Sequence, residues 1–321
     1  MTTPRWVTIS MLVFVGAAGL LPFVGPSPLD LAAVWRRQDP DWSIFLYLRV
    51  SRTLLGLFAG GALSLGGSLF QLMLRDALAT PYTLGVSTGA SLGAVVAIAW
   101  GWSGYAVLPP AWLGALLGGA GALALVVGAT TAGNGLSPYR MLLAGVATNS
   151  VCSALILLLY SVSGVGASLA ITRWLIGSLD AIPFPPLLVF MVLVGVISIL
   201  IVREGRSWTL LAVGESWAAT RGVDVRRLTS FGYIGGSVLT ALTVAVVGPI
   251  GFIGLMVPHL VRVRISTDAR VLMPCAFCLG GALLAACDAL GRILLAPAEI
   301  PAGAITACIG GPYLVWLVRR R

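Results

Sequence analysis

The sequence predicts an all-α, polytopic membrane protein of ten spans, and three observations carry that expectation. Of the 321 residues, 58% are hydrophobic and only 10% charged, with a mean hydropathy of +1.00; a soluble domain carries roughly 25% charge. Apolar stretches recur from 6–24 to 301–318, each close to the ~20 residues that carry a helix across a bilayer. Basic residues gather between these stretches rather than within them.

Read between charge clusters, the spans fall near 6–24, 50–70, 84–103, 111–129, 141–160, 185–202, 229–247, 250–263, 271–290 and 301–318. The first follows a single basic residue, Arg5, and shows no small-residue cleavage site before charged sequence. It therefore reads as an uncleaved helix rather than a signal peptide. The second opens on Arg49 and Arg52 and, like the third, carries small residues at four-residue spacing: Gly56 and Gly60, then Gly85, Gly89 and Gly93. In a membrane that spacing lets helix backbones approach closely.

The stretch 231–261 needs more care, because as one straight helix it would be about 46 Å long against ~30 Å of hydrocarbon. Arg226 and Arg227 precede it and Arg262 and Arg264 follow it. The positive-inside rule wants both flanks on the cytoplasmic side, so the chain must go out and return. Gly248-Pro249 is the strong breaker near its middle. The return helix is then short enough to need cover from protein or a water-filled cavity.

Ten spans put both termini on one side. With Arg319, Arg320 and Arg321 inside, that side holds 14 Arg against 5 acids and the outside 6 Arg against 6 acids, as the rule expects. Arg49, Arg52 and Arg292 then fall at the outer surface. Snorkelling to the headgroups and a docking patch for an acidic partner both account for charges there.

Absences narrow the chemistry. Every one of the 20 basic residues is Arg, so no P-loop lysine and no Schiff-base lysine exists, and the single histidine, His259, rules out an HExxH metal site. Cys152, Cys275, Cys278, Cys287 and Cys308 all lie in apolar segments and read as small packing residues. Few ionisable residues fall mid-span, whereas ion-coupled carriers keep carboxylates or histidines there. The driving force is expected from elsewhere. The longest inner loop, 203–228, reads as two short amphipathic helices around Gly214, closed by Gly222, with Leu210, Leu211, Val213, Trp217 and Ala218 as an apolar face. A partner protein beneath the membrane or a headgroup-lying helix would each explain that face.

Several blocks, in order, resemble one known family. They are "RVSRTLLGLFAGGALSLGGSLFQ" from Arg49, "LATPYTLGVSTGASLGA" at 78–94, "LLAGVATNS" at 142–150, "RWLIGSLD" at 173–180, "LLAVGESWAATRGV" at 210–223, "GPIGFIGLMVPHLVR" at 248–262, "CDALGR" at 287–292 and "EIPAGAITACIGGPYLVWL" at 299–317. From about Leu46 onward the chain resembles the FecCD-type permease subunits of ABC importers for iron–siderophore complexes, haem and cobalamin.

The resemblance implies a single transmembrane permease domain over 1–321 with the type II ABC importer permease fold, multi-pass in the inner membrane. It implies a dimer with a second or related permease, two cytosolic ATPase subunits beneath, and a periplasmic or lipid-anchored binding protein above. The chain itself is then not an enzyme and binds no cofactor directly; ATP and Mg belong to the ATPase, and no nucleic-acid partner is expected. Iron–siderophore is the leading cargo, with haem and cobalamin as the others.

Residue roles follow from the same resemblance. Arg49, Arg52 and Arg292 match the arginines that receive carboxylates of the binding protein. Leu210, Gly214, Glu215, Arg221 and Gly222 match the ATPase-coupling segment. Asp76 and Leu78, with Ser137 and Pro138, match the cytoplasmic gate, although Asp76-Ala77 replaces the more usual Asn-Pro, and two facing carboxylates would repel unless Arg75 or Arg140 pairs with them. Ser87, Thr88, Ser91, Thr148 and Asn149 are the expected pathway wall, and Arg173 faces either an anionic cargo or solvent. Val50-Ser51 stands where the family has Leu-Pro, which is expected to loosen the start of the second span. The rival reading is an ion-coupled secondary carrier for a small solute.

Overall fold

In a computed structural model, which describes residues 3–101, 109–131 and 138–319, helices follow one another with no strand among the described residues. The membrane-scale helices are α1 (Thr3–Leu20), α2 (Ser51–Leu74), α3 (Val86–Ala99), α4 (Pro110–Thr131) and α5 (Pro138–Val162). A connecting helix, α6 (Val165–Ile176), precedes α7 (Phe184–Arg203). Two short helices, α8 (Gly205–Val213) and α9 (Glu215–Thr220), then lead to α10 (Val225–Val247), α11 (Ile253–Arg264), α12 (Ala269–Leu294) and α13 (Ala302–Arg319).

Each of the ten expected spans coincides with a helix. Seven apolar helices are long enough to cross a membrane; α3 and α11 are shorter, at 14 and 12 residues, as is the apolar part of α13, Ala302–Leu317. Apolar α6 was not among the expected spans, because its 12 residues lie inside an outer connection that the charge pattern did not divide.

The bundle is built around α2, in which all but four of 24 residues are buried. Small residues make this possible. A Cβ on Gly67 would overlap the carbonyl of Gly254 in α11, and one on Gly93 of α3 would overlap the carbonyl of Gly114 in α4. Gly60 of the second-span ladder likewise faces the Gly280 carbonyl of α12, so the four-residue ladders serve backbone-to-backbone packing, which a membrane helix needs because lipid supplies no hydrophobic drive. The out-and-back turn sits where the breaker is: α10 ends at Val247, and Gly248 takes φ +71°, a conformation open to glycine at no steric cost. The return helix α11 is about 18 Å long at the standard rise. Seven of its 12 residues are buried, against α2, α12 and α13.

One expectation is corrected at the start of the second span. The helix is not loosened by the missing proline: a wide π-helical turn over Ile44–Val50 runs directly into α2. Without proline the backbone N–H is kept, so helical bonding continues upstream. The buried Ser51 hydroxyl instead donates to the Ile182 carbonyl at 2.6 Å.

Candidate functional site

Arg52 and Arg75 mark the two ends of α2, about 36 Å apart for 24 residues, and the functional candidates collect at these two ends. At the first, Arg52 and Arg292 converge on Asp288, and Arg52 also reaches Glu299, whereas Arg49 is held by backbone carbonyls. Arg52 lies 3.1 Å from Asp288 and 2.8 Å from Glu299, and Arg292 lies 3.1 Å from Asp288, four residues before it on α12. The exposure of these side chains is not what an outward patch requires. Arg49 and Arg292 are each only 4% exposed. Arg49 donates to the carbonyls of Phe23 and Ser27, fastening the segment after α1. Gly25 leaves room for its guanidinium, which a Cβ there would strike.

The expectation of three surface arginines is thus corrected for two of them. Burial of a guanidinium demands partners, and the fold supplies a carbonyl cradle for Arg49 and a carboxylate for Arg292. Arg52 keeps some exposure (15% for its side chain), and Glu299, at 47%, is the accessible member of the cluster.

At the opposite end, the inner segment folds as α8 and α9, broken at Gly214 and closed by Gly222 at φ +80°. Its apolar residues divide by direction. Leu211 and Ala218 face inward with Trp208, whose indole N–H donates to the Ile201 carbonyl at 2.9 Å. Leu210 is half-buried, whereas Val213 and Trp217 are 68% and 48% exposed. Arg221 stacks over the Trp217 ring at 4.5 Å.

Two polar ties hold this segment to the bundle. Thr209 donates to Asp268, the residue capping α12. Hydrogen bonds from the neighbouring Arg270 side chain hold the Asp268 carboxyl below the usual carboxylate range, outweighing its partial burial. The second tie is an ion pair of 3.0 Å between Glu215 and Arg75, both well exposed.

Because Arg75 bridges to Glu215, it does not neutralise Asp76. The Asp76 carboxylate accepts instead from the Leu78 N–H at 2.9 Å, and the Leu78 side chain is exposed. Ser137 and the side chain of Pro138 lie outside the described residues.

The expected pathway wall separates. Ser87 and Ser91 are sealed within the protomer, at 0% and 3% exposure, so in this conformation they line no pathway. Gly89 and Gly93 meet α4 on the opposite face of α3, but α5, α6 and α10 pack on α3 as well, so the serine face is covered too. Thr88, Thr148 and Asn149 are half-buried. Arg173 is exposed and lies on the wall of a cavity of about 440 Å³ with Trp174, Ser178 and Asp180.

This two-ended helical arrangement is shared with known proteins along nearly its whole length. The FecCD transport family model matches residues 10–320. The chain belongs to the FecCD transport family. This FecCD-family chain is 35% identical over 315 residues to the hemin transport system permease protein HmuU of Yersinia pestis, covering 97% of this chain and 93% of that one. It is 34% identical to the ferric enterobactin transport system permease protein FepD of Escherichia coli (97% and 94% covered) and to the vitamin B12 import system permease protein BtuC of Salmonella typhi (98% and 94%).

Among solved structures, an inward-facing metal-chelate type ABC transporter superposes with a TM-score of 0.86 at 29% identity, over 99% of this chain and 100% of that one. PsaBC from Streptococcus pneumoniae shares the fold alone, at a TM-score of 0.58 and 15% identity over 83% of this chain and 89% of that one.

For this FecCD-family chain, sequence reasoning missed the carboxylates of the arginine cluster and the anchor of the inner segment. Asp288 and Glu299 are two of the six acids on the expected outer side, and the i, i+4 spacing of Asp288 and Arg292 is the pairing signal that the sequence carries. Trp208 gave a weaker signal. Its stacked partner Phe231 and the facing Gly232 are both distant in sequence.

Proposed function

We propose that this chain is the permease subunit of an ABC importer for a metal chelate of the iron–siderophore, haem or cobalamin class. The observation that carries the reading is the coextensive match to a metal-chelate type transporter, 99% of one chain against 100% of the other. Two copies, or this chain and a related permease, enclose the pathway, ten spans deep, with both termini cytoplasmic. Two ATPase subunits grip α8 and α9, where Val213 and Trp217 offer apolar surface. Glu215 relays their motion to α2 through Arg75, next to the gate residues Asp76 and Leu78. ATP and Mg stay on those subunits.

A substrate-binding protein docks at the opposite end. Arg52 and Arg292 are balanced by Asp288 and Glu299, so docking works by exchange: an incoming carboxylate takes Arg52 from Glu299. Arg49 and Arg292 brace the site from behind.

Uptake by vesicles holding the complete complex tests the reading. Accumulation of chelate is expected to persist when ion gradients are collapsed and to stop when the Walker lysine of the ATPase is changed. The opposite pattern identifies an ion-coupled carrier. For docking, Arg52→Glu is expected to weaken binding-protein affinity by roughly a hundredfold, as loss of a close interfacial charge pair does. Unchanged affinity at low salt removes Arg52 from the docking site.

A further inference from the structure

A cavity of about 760 Å³ opens between the C-terminal end of α7 and the N-terminal end of α10, and its walls also include Ser207 of α8 and Gly222 of the coupling segment. Leu200, Arg203, Glu204, Asp224, Arg227 and Phe231 are among its walls. Arg203 and Arg227 are exposed, and their guanidiniums form no ion pair among the described residues. The two carboxylates are held in place by one oxygen each. Asp224 accepts from the Arg227 backbone N–H, and Glu204 accepts from the Ser207 hydroxyl, both at 3.0 Å. The cavity thus presents two positive and two negative groups.

Exposed apolar stripes lead away from the cavity along both helices. On α7 the exposed residues Leu188, Val192, Val196 and Leu200 recur at three- to four-residue spacing and end at Arg203. On α10, Ile234 and Phe231 form a matching exposed stripe that ends at Arg227. The two helices pack side by side, with Ile201 against Gly235. Apolar stripes that terminate in charge at helix ends lie where headgroups meet acyl chains.

We propose that this cavity binds a phospholipid with an amine-bearing headgroup, phosphatidylethanolamine in chemistry. Its phosphodiester sits between Arg203 and Arg227, its ammonium faces Glu204 and Asp224, and its acyl chains follow Leu200, Phe231 and Ile234. The apolar stripes select a lipid over a free phosphate. The balanced charge selects a zwitterionic headgroup, because an anionic one would satisfy the arginines and leave both carboxylates without a counter-charge.

Native mass spectrometry of the full-length chain in detergent, with added phosphatidylethanolamine, phosphatidylglycerol or inorganic phosphate, tests this. The parent is expected to retain phosphatidylethanolamine in preference to phosphatidylglycerol. Retention is expected to fall roughly tenfold in Arg203→Gln/Arg227→Gln, as for the loss of charge-assisted hydrogen bonds. Arg206→Gln, an exposed charge in the same segment but off the cavity, is expected to bind as the parent does. Glu204→Gln/Asp224→Asn, which keeps a capping side chain at 224, is expected to erase the preference between the two lipids.

The proposal is overturned if the double arginine variant retains lipid as the parent does, or if Arg206→Gln loses as much. Equal retention of phosphatidylglycerol by the parent, or full displacement of lipid by inorganic phosphate, overturns it as well. Should the double arginine variant not fold, the single Arg203→Gln and Arg227→Gln variants carry the same comparison.

Discussion

Gly67→Ala is expected to cost about 3 kcal/mol or more and to leave little monodisperse protein after detergent extraction. The new Cβ would meet the carbonyl oxygen, carbonyl carbon and Cα of Gly254. All three are backbone atoms, so no rotamer change makes room. Either α2 or α11 has to move, and α11 is the short return helix whose burial depends on that contact. Gly121→Ala is the matched control: Gly121 is exposed on α4 with nothing within 4 Å of an added Cβ. There the lower conformational entropy of alanine leaves stability unchanged or raised by up to about 1 kcal/mol. Thermal unfolding of the two purified variants checks the pair. A Gly67→Ala midpoint within about 1 °C of the parent, under about 1 kcal/mol for a chain of this length, would show that the helices part without cost.

Asp288→Leu is expected to destabilise the chain by about 3–5 kcal/mol, because it leaves the buried Arg292 without its counter-charge. Asp288 and Arg292 side chains are 3% and 4% exposed, so solvent cannot take over the role of the partner. Arg52 is affected less. It is more exposed and keeps Glu299 at 2.8 Å. The double variant Asp288→Leu/Arg292→Leu removes both buried charges together and is expected to recover most of the loss, since a well-packed apolar pair is often no worse than a buried ion pair. Thermal unfolding of the single and double variants completes the cycle. Equal midpoints for Asp288→Leu and the double variant would show that an unpaired Arg292 costs nothing at this buried site, against the argument from its lost counter-charge.

The arginine cluster shows where sequence reasoning ends. Arg49, Arg52 and Arg292 were recognisable as charges beside spans, and the structure does bring them to one end of the bundle. Their burial was not legible. It depends on carbonyls at Phe23 and Ser27 and on a carboxylate at Asp288, and which of these a guanidinium reaches is decided by helix rotation. The inner segment divides the same way. Its helices and its break at Gly214 follow from local composition, but the selection of Trp208 as anchor, with Val213 and Trp217 left outside, comes from α7 and α10.

By itself the sequence determined that this is a helical, multi-pass membrane protein of the FecCD family. It also determined where the chain turns at Gly248 and which segments carry charge. Those properties follow from the cost of placing polar groups in hydrocarbon, which each stretch of chain meets alone. Only the tertiary structure decided which face of each helix is covered, and so that Ser87 and Ser91 point into the protomer and that Arg49 and Arg292 are enclosed. In a bilayer both lipid and neighbouring helices are apolar. A span that is hydrophobic all round therefore carries no polarity difference to mark its buried side, and that side is set by where small residues let another backbone come close.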